Sequence, residues 1–365
     1  MREPLWKWID DFYYASLWNN DQARQQLATQ HYEAWKLLET QPQQALTMLA
    51  NGIDMAHNLG EPWWAAFYEY WRTEAWVFYL RDLNQGLYYA VQNAVECRKT
   101  HFAAFPGKGR VYRVLVDAYM FRDPIGYEDK IRETIQHMQD DVPMDNDTAY
   151  LLQARRAQLD AVFGRIKDAI AKTHVYLDMS QHSSFRAMHA YEMLGFYAYL
   201  RGEYALAEEY AIEVEDNARR CARRSGFMAS YLQRALLHQL KGDSNSAKSF
   251  YQKYHAVQSR VGMKRGTTSY DWLCEYHELG GDADTAWALR EEQLADLVGK
   301  GYYYDECWCH LRRLQLLGRM GKPLTDEIQR TQQAISQLLK PDVFQAALER
   351  IQQGDYQKLA LFPQN

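Results

Sequence analysis

Apolar residues recur along this chain three and four positions apart, through long segments rich in Ala, Leu, Gln, Glu, Arg and Lys. Alternating β-branched runs bounded by hairpin turns are missing, so the pattern predicts an all-α protein. Short polar breaks punctuate the helices. Leu200-Arg201-Gly202-Glu203, Leu240-Lys241-Gly242-Asp243 and Gly280-Gly281-Asp282 each offer a glycine able to take the left-handed geometry that ends a helix. The turn glycines Gly164, Gly202, Gly242, Gly281 and Gly321 are 38, 40, 39 and 40 residues apart, and a period near 40 marks a helical solenoid.

Positions flanking these glycines repeat as well. Ala157, Gly195, Ala235 and Cys274 stand seven residues before the first four, and Ala169, Ala207, Ala247 and Ala286 stand five residues after. Two antiparallel helices joined by a tight turn approach closely only where facing positions lack bulk, so these eight small residues predict packed hairpins. Tyr191, Tyr231 and Tyr270, eleven residues before three of the glycines, are expected to wedge against the neighbouring hairpin.

The unit is clearest in residues 194–211, LGFYAYLRGEYALAEEYA, which resembles the tetratricopeptide repeat in its order of Leu-Gly, aromatic, Gly-Glu-Tyr and Ala. The match weakens over residues 144–300 and continues by periodicity over 24–339. The 40-residue period exceeds the family's 34, Tyr or Gln replaces its usual Trp, and its closing Pro is missing, as in the longer-repeat branch of signalling scaffolds and regulators. The resemblance implies a right-handed α-solenoid of about eight antiparallel hairpins. In the N-terminal half the helices are placed near 24–39 and 43–59, 62–81 and 84–101, and 108–121 and 128–139. Residues 1–23 are expected to form an N-terminal capping helix, 24–339 the repeat array, and 340–365 a C-terminal capping helix and tail ending Phe362-Pro363-Gln364-Asn365.

Composition narrows the chemistry. Forty-two Lys and Arg against 47 Asp and Glu give a net charge of −5, which supplies no overall positive field for nucleic acid or an anionic membrane. No apolar stretch is long enough to span a membrane and the start lacks the apolar run of a signal peptide, so a cytoplasmic location is expected. Five irregularly spaced cysteines do not form a disulfide framework. There is no phosphate loop, nucleophile elbow, HExxH or paired CxxC, and neither catalytic residues nor a cofactor is expected. Cys307-Trp308-Cys309-His310 is not a metal site, because Cys307 and Cys309 point to different sides of a helix. His238 and His277, each four residues before a turn glycine, are expected to pack within their own hairpins. Arg219, Arg220, Arg223 and Arg224 suit the negative end of a helix. Lys108, Arg110 and Arg113 could touch phosphate, but the net acidity argues against it. Most of the aromatic stretch from Trp63 to Tyr79 is expected to be inter-helix core.

The family register puts the residues ten, six and three before each turn glycine on the inner face of the first helices. These are Glu192, Phe196 and Tyr199, then Leu232, Leu236 and Gln239, then Asp271, Glu275 and Glu278. The result is a mixed groove with an acidic end, suited to a peptide or partner domain with apolar anchors and basic side chains. Reversing Asp271 and Glu275 to Lys is then expected to remove a basic partner while leaving the fold intact. The function expected is a non-enzymatic interaction scaffold or regulatory adaptor. The alternatives are an α/α-toroid carbohydrate-active enzyme, which needs two carboxylates facing each other rather than sharing one helix face, and a helical-repeat RNA binder.

Overall fold

The computed structural model describes residues 4–142, 146–180, 182–357, 361 and 362. Residues 1–3 of the expected N-terminal cap, and residues 358–360 and Pro363, Gln364 and Asn365 of the tail, lie outside the described residues. Helix α1 (Pro4–Trp18) precedes eight pairs. These are α2 (Gln22–Leu37) with α3 (Pro42–Asn58), α4 (Pro62–Glu74) with α5 (Leu83–Glu96), α6 (Lys108–Arg122) with α7 (Glu128–Asp140), and α8 (Asn146–Val162) with α9 (Ile166–Met179). Then come α10 (Ser184–Leu200) with α11 (Tyr204–Cys221), α12 (Arg224–Leu240) with α13 (Ser244–Gln258), α14 (Thr267–Leu279) with α15 (Ala283–Leu297), and α16 (Tyr303–Arg319) with α17 (Thr325–Ile335). Helix α18 (Asp342–Gln352) follows, and no strand occurs among the described residues. None of the helices is long and apolar enough to cross a membrane.

The hairpin turns form for the reason the sequence offers. Gly164, Gly202, Gly242, Gly281 and Gly321 have φ between 64° and 80°, a region closed to most side chains. The next helix then starts on a capping residue where one is present. Asp243 accepts from the Ser246 amide and Asp282 from the Thr285 amide, both at 3.1 Å. The small residues on either side sit where the paired helices meet: Ala157, Ala235, Cys274, Ala169, Ala207, Ala247 and Ala286 are fully buried, and Gly195 is buried against Gln233 and Tyr210.

Contacts divide the chain into two compact units. One comprises Met1–Met120, Tyr127–Arg155 and Gly262–Lys264; the other comprises Phe121–Gly126, Arg156–Val261 and Arg265–Asn365. The first unit is built on aromatic rings. Trp64, Phe67, Tyr68, Tyr70 and Trp71 of α4 are buried, and the Tyr68 hydroxyl donates to the Leu27 carbonyl of α2 at 2.7 Å. Past α4 the chain winds into a π-helical segment, Ala75–Leu80, closed by Arg81 at φ 51°; here Trp76, Phe78 and Tyr79 remain half-buried. The basic residues flagged near α6 are drawn inward. Arg113 pairs with Glu74 and with Asp117 at 2.9 Å and donates to the Tyr70 hydroxyl at 2.8 Å, while Arg155 of α8 donates to the same Asp117 at 2.9 Å.

In the second unit, successive first helices touch one another, α10 with α12 and α12 with α14, so the first helices form its inner layer. Two sequence expectations are refined. His238 and His277 bond within their own hairpin only through Nδ1, at 3.3 Å from the capping Asp243 and Asp282. Their Nε2 atoms reach the preceding hairpin, 3.1 Å from Glu208 and 2.8 Å from the Tyr251 hydroxyl, because a first helix lies against the second helix before it. The repeated tyrosines do the reverse. Tyr270 donates to Glu292 and Asp296 of its own hairpin at 3.1 Å, Tyr191 packs on Tyr210 of its own, and Tyr231 both packs on Phe250 of its own and reaches back to Glu215 at 3.3 Å. Cys307 and Cys309 are buried on different sides of α16, the first in an apolar cluster with Leu311 and Phe344, the second beside the Arg290 carbonyl.

Candidate functional site

The inner layer of the second unit carries the nine positions singled out by the repeat register. They fall into three groups. Leu232 and Leu236 of α12 are 1% and 0% exposed, and Tyr199 of α10 is 4% exposed, so these three are core. The cause is the size of their neighbours. Phe196 and Tyr199 of α10 reach over α12 to meet Trp272 of α14, with ring centroids 6.3 and 6.2 Å apart, and the Tyr199 hydroxyl donates to Glu275 of α14. Side chains two repeats apart thus close over the leucines, and the expected apolar floor of the groove is filled by the chain itself. Burial and the adjoining Glu275 carboxylate both disfavour ionisation of Tyr199 and push its pKa up.

Glu192, Phe196 and Gln239 form the second group. All three are half-buried on the inner face, and Glu192 lies 3.4 Å from His189 on the turn before it.

The third group is the acidic stripe Asp271, Glu275 and Glu278 of α14, whose neighbour is a matching stripe on α16. Trp308 Nε1 donates to Asp271 Oδ2 at 2.9 Å, and Arg319 donates to Glu278. Between them, Arg312 stacks over Trp308 at 4.6 Å and lies within electrostatic reach of both Asp271 and Glu275. Arg290 of α15 adds a bond to Asp271 Oδ1 at 2.5 Å and another to Gln293 at 2.8 Å. Burial opposes the charge on Arg290, but Asp271 more than compensates and its pKa stays raised. Arg312 is shifted the other way: burial and the nearby Arg290 outweigh the two carboxylates, and its pKa falls. The acids are therefore joined to cations of this same chain, which accounts for their presence without a basic partner.

Trp308, Arg312 and Arg319 lie outside the register itself: the residues ten, six and three before Gly321 are Leu311, Gln315 and Gly318, whereas these three stand thirteen, nine and two before it. A signal was available, since they recur at four- and seven-residue spacing along the next first helix and two of them are arginines that complement an acidic stripe. Among the described residues no group of three His, Cys, Asp or Glu side chains is placed to hold a metal ion.

Helix pairs of this length, stacked with first helices inward, match a known architecture. Cut9 in the APC/C hetero-tetramer Cut9–Hcn1 superposes with a TM-score of 0.52 at 13% identity, over 94% of this chain and 58% of that one. The fold is that of the tetratricopeptide-repeat solenoids. BtubC (BKLC) from P. vanneervenii is similar over 59% of this chain and 90% of its own, at 15% identity and a TM-score of 0.41. A tetratricopeptide repeat protein from Parabacteroides merdae is similar over 79% and 98%, at 14% identity and the same TM-score. No family model matches the chain, and no curated protein does.

Proposed function

We propose that this tetratricopeptide-repeat-like chain is a non-enzymatic interaction scaffold that holds a segment of another protein along the inner face of its second unit. The observation that carries the proposal is that Phe196 of α10, Gln239 of α12 and Trp308 and Arg312 of α16 are left half-buried on first helices of this unit, with Arg312 stacked on Trp308. Aromatic edges, an amide and a stacked guanidinium suit an extended or helical peptide with apolar anchors and backbone hydrogen bonds. Because Asp271 and Glu278 already have arginine partners, recognition rests on shape and hydrogen bonding more than on charge. The fold likeness to Cut9, which assembles with Hcn1, supports a protein as the ligand class.

The test is affinity capture from lysate of the source cells, with wild type and Phe196→Ala/Gln239→Ala as baits, repeated at low and high salt. A partner held by wild type at both salt concentrations and lost by the variant is expected, with unchanged far-UV circular dichroism. Identical captures by both baits would overturn this placement of the binding face. A partner released by salt alone would return the acidic reading.

A further inference from the structure

The outer face of α1 carries apolar side chains open to solvent: Tyr14, Leu17 and Trp18 are 59%, 40% and 87% exposed. Pro4, Lys7, Asp11, Tyr14 and Trp18 are all exposed and recur at intervals of three, four, three and four residues, the spacing of a helix–helix seam. Leu5, Ile9 and Ser16, on the opposite side, hold α1 against its own unit. Alongside the seam runs a cleft of about 380 Å³, with Pro4, Trp8 and Phe12 as one wall and Trp63, Ala104 and Pro106 as the other. The Trp63 indole is fixed there by donating to the His101 carbonyl at 2.9 Å, so the wall is built before anything binds.

We propose that this face binds a second copy of the chain, the two α1 helices antiparallel about a two-fold axis at the level of Ile9. The charges are self-complementary in this arrangement. Lys7 and Asp11 lie two residues to either side of the axis, so each Lys7 faces the second copy's Asp11, and the pairing occurs twice. Their present partnership is one exposed intrahelical contact of 2.9 Å, with side chains 68% and 62% exposed, which exchanges readily. One apolar pair matches as well, whereas Trp18, nine residues from the axis, lies past the second copy's Pro4 and is left outside the pairing. Tyr14 and Pro4 lie five residues to either side of the axis, which sets each Tyr14 ring beside the second copy's Pro4, at the mouth of the cleft. A face that offers both the ring and the slot is what an isologous interface requires. A single 15-residue helix per partner is about 22 Å long by its rise per residue and covers less than the roughly 800 Å² per partner of a standard interface. The dimer is accordingly weak and concentration-dependent. This proposal does not depend on the first-helix strip of the second unit.

Sedimentation equilibrium of the full chain over a wide concentration series tests it, with Lys7→Asp and Asp11→Lys prepared separately. Wild type is expected to rise from monomer toward dimer. Each single variant places like charges opposite one another twice and should need at least roughly tenfold more protein to associate. An equimolar mixture of the two variants recreates both ion pairs and should associate like wild type. Far-UV circular dichroism of the variants should be unchanged, since both side chains are exposed. Wild type that stays monomeric throughout, or a Lys7→Asp variant that associates as wild type does, would overturn the proposal. Failure of the mixture to recover association would equally exclude the antiparallel register.

Discussion

Replacing Asp271 by Ala separates the two meanings that a carboxylate on this face can have. In the structure the side chain joins Arg290 of α15, at 2.5 Å, to Trp308 of α16, at 2.9 Å, so three consecutive helices meet on it. Arg290 is only 4% exposed, and without Asp271 it keeps its bond to the Gln293 amide oxygen at 2.8 Å, which carries no full charge. Removing one member of a buried ion pair costs about 3–5 kcal/mol, because the remaining charge stays desolvated. Asp271 itself is 23% exposed at the side chain, so water can relax part of the loss, and the lower end, about 3 kcal/mol, is expected. The orphaned indole adds about 1 kcal/mol. Urea unfolding followed by far-UV circular dichroism measures the total, and hydrogen exchange should locate the loss in α14–α16. Arg290→Met and the double variant Asp271→Ala/Arg290→Met complete the cycle: the double variant should be clearly less damaged than the sum of the singles. A loss below about 1 kcal/mol with additive singles would refute the reasoning and leave the carboxylate idle, available to a basic partner. The same geometry reverses an expectation from sequence, since Lys at 271 and 275 would stand beside Arg290 and Arg312 and destabilise the fold itself.

Three other perturbations probe the packing and charge of both units. His31 is 1% exposed among Tyr32, Trp64 and Phe67, and burial, opposed by the weaker pull of the Ala28 backbone, lowers its pKa to about 3. Its folded pKa lies below the unfolded value, so the unfolded chain takes up the proton first; stability is intact above about pH 6.5 and falls as the pH drops toward 3. At pH 5 the loss is roughly 2 kcal/mol, and His31→Phe should remove that part of the pH dependence in urea titrations; an unaltered slope would count against it. Asp117, 3% exposed, serves both Arg113 and Arg155, so Asp117→Ala should cost about 3–5 kcal/mol in the first unit; a thermal transition that hardly moves would contradict this. Ala207→Leu, at a fully buried helix contact, should cost about 1–3 kcal/mol by overpacking, whereas Ala256→Leu on the exposed side of α13 should stay within about 0.5 kcal/mol.

What the sequence made legible follows the range of the interaction. A hairpin is specified by residues within about twenty positions of its turn, and these repeat. The left-handed Gly202, the buried Ala207 five residues on and the buried Gly195 seven residues back belong to one local rule applied at each turn, so architecture could be read from spacing alone. The N-terminal helices were placed closely too, except where α4 widens into the π-helical Ala75–Leu80 and α5 stops at Glu96. Neither departure has a periodic signature.

The inner face obeys no such rule, because it is decided between repeats. Whether Leu236 is groove floor or core depends on Tyr199, 37 residues before it, and Trp272, 36 residues after it, and on how tightly first helices stack. Whether Glu278 is free depends on Arg319, 41 residues away. A register transferred from the family assigns a side to each position but says nothing about what fills that side, and large aromatics here fill it from within. The acidic stripe shows the consequence for function. Read on α14 alone, three carboxylates call for a cationic ligand; read with α16, they are half of a zipper that fixes the spacing of two first helices. Under the proposed scaffold function, a surface whose charges are spent on its own geometry would recognise a partner through its remaining groups, here the aromatic edges of Phe196 and Trp308 and the amide of Gln239.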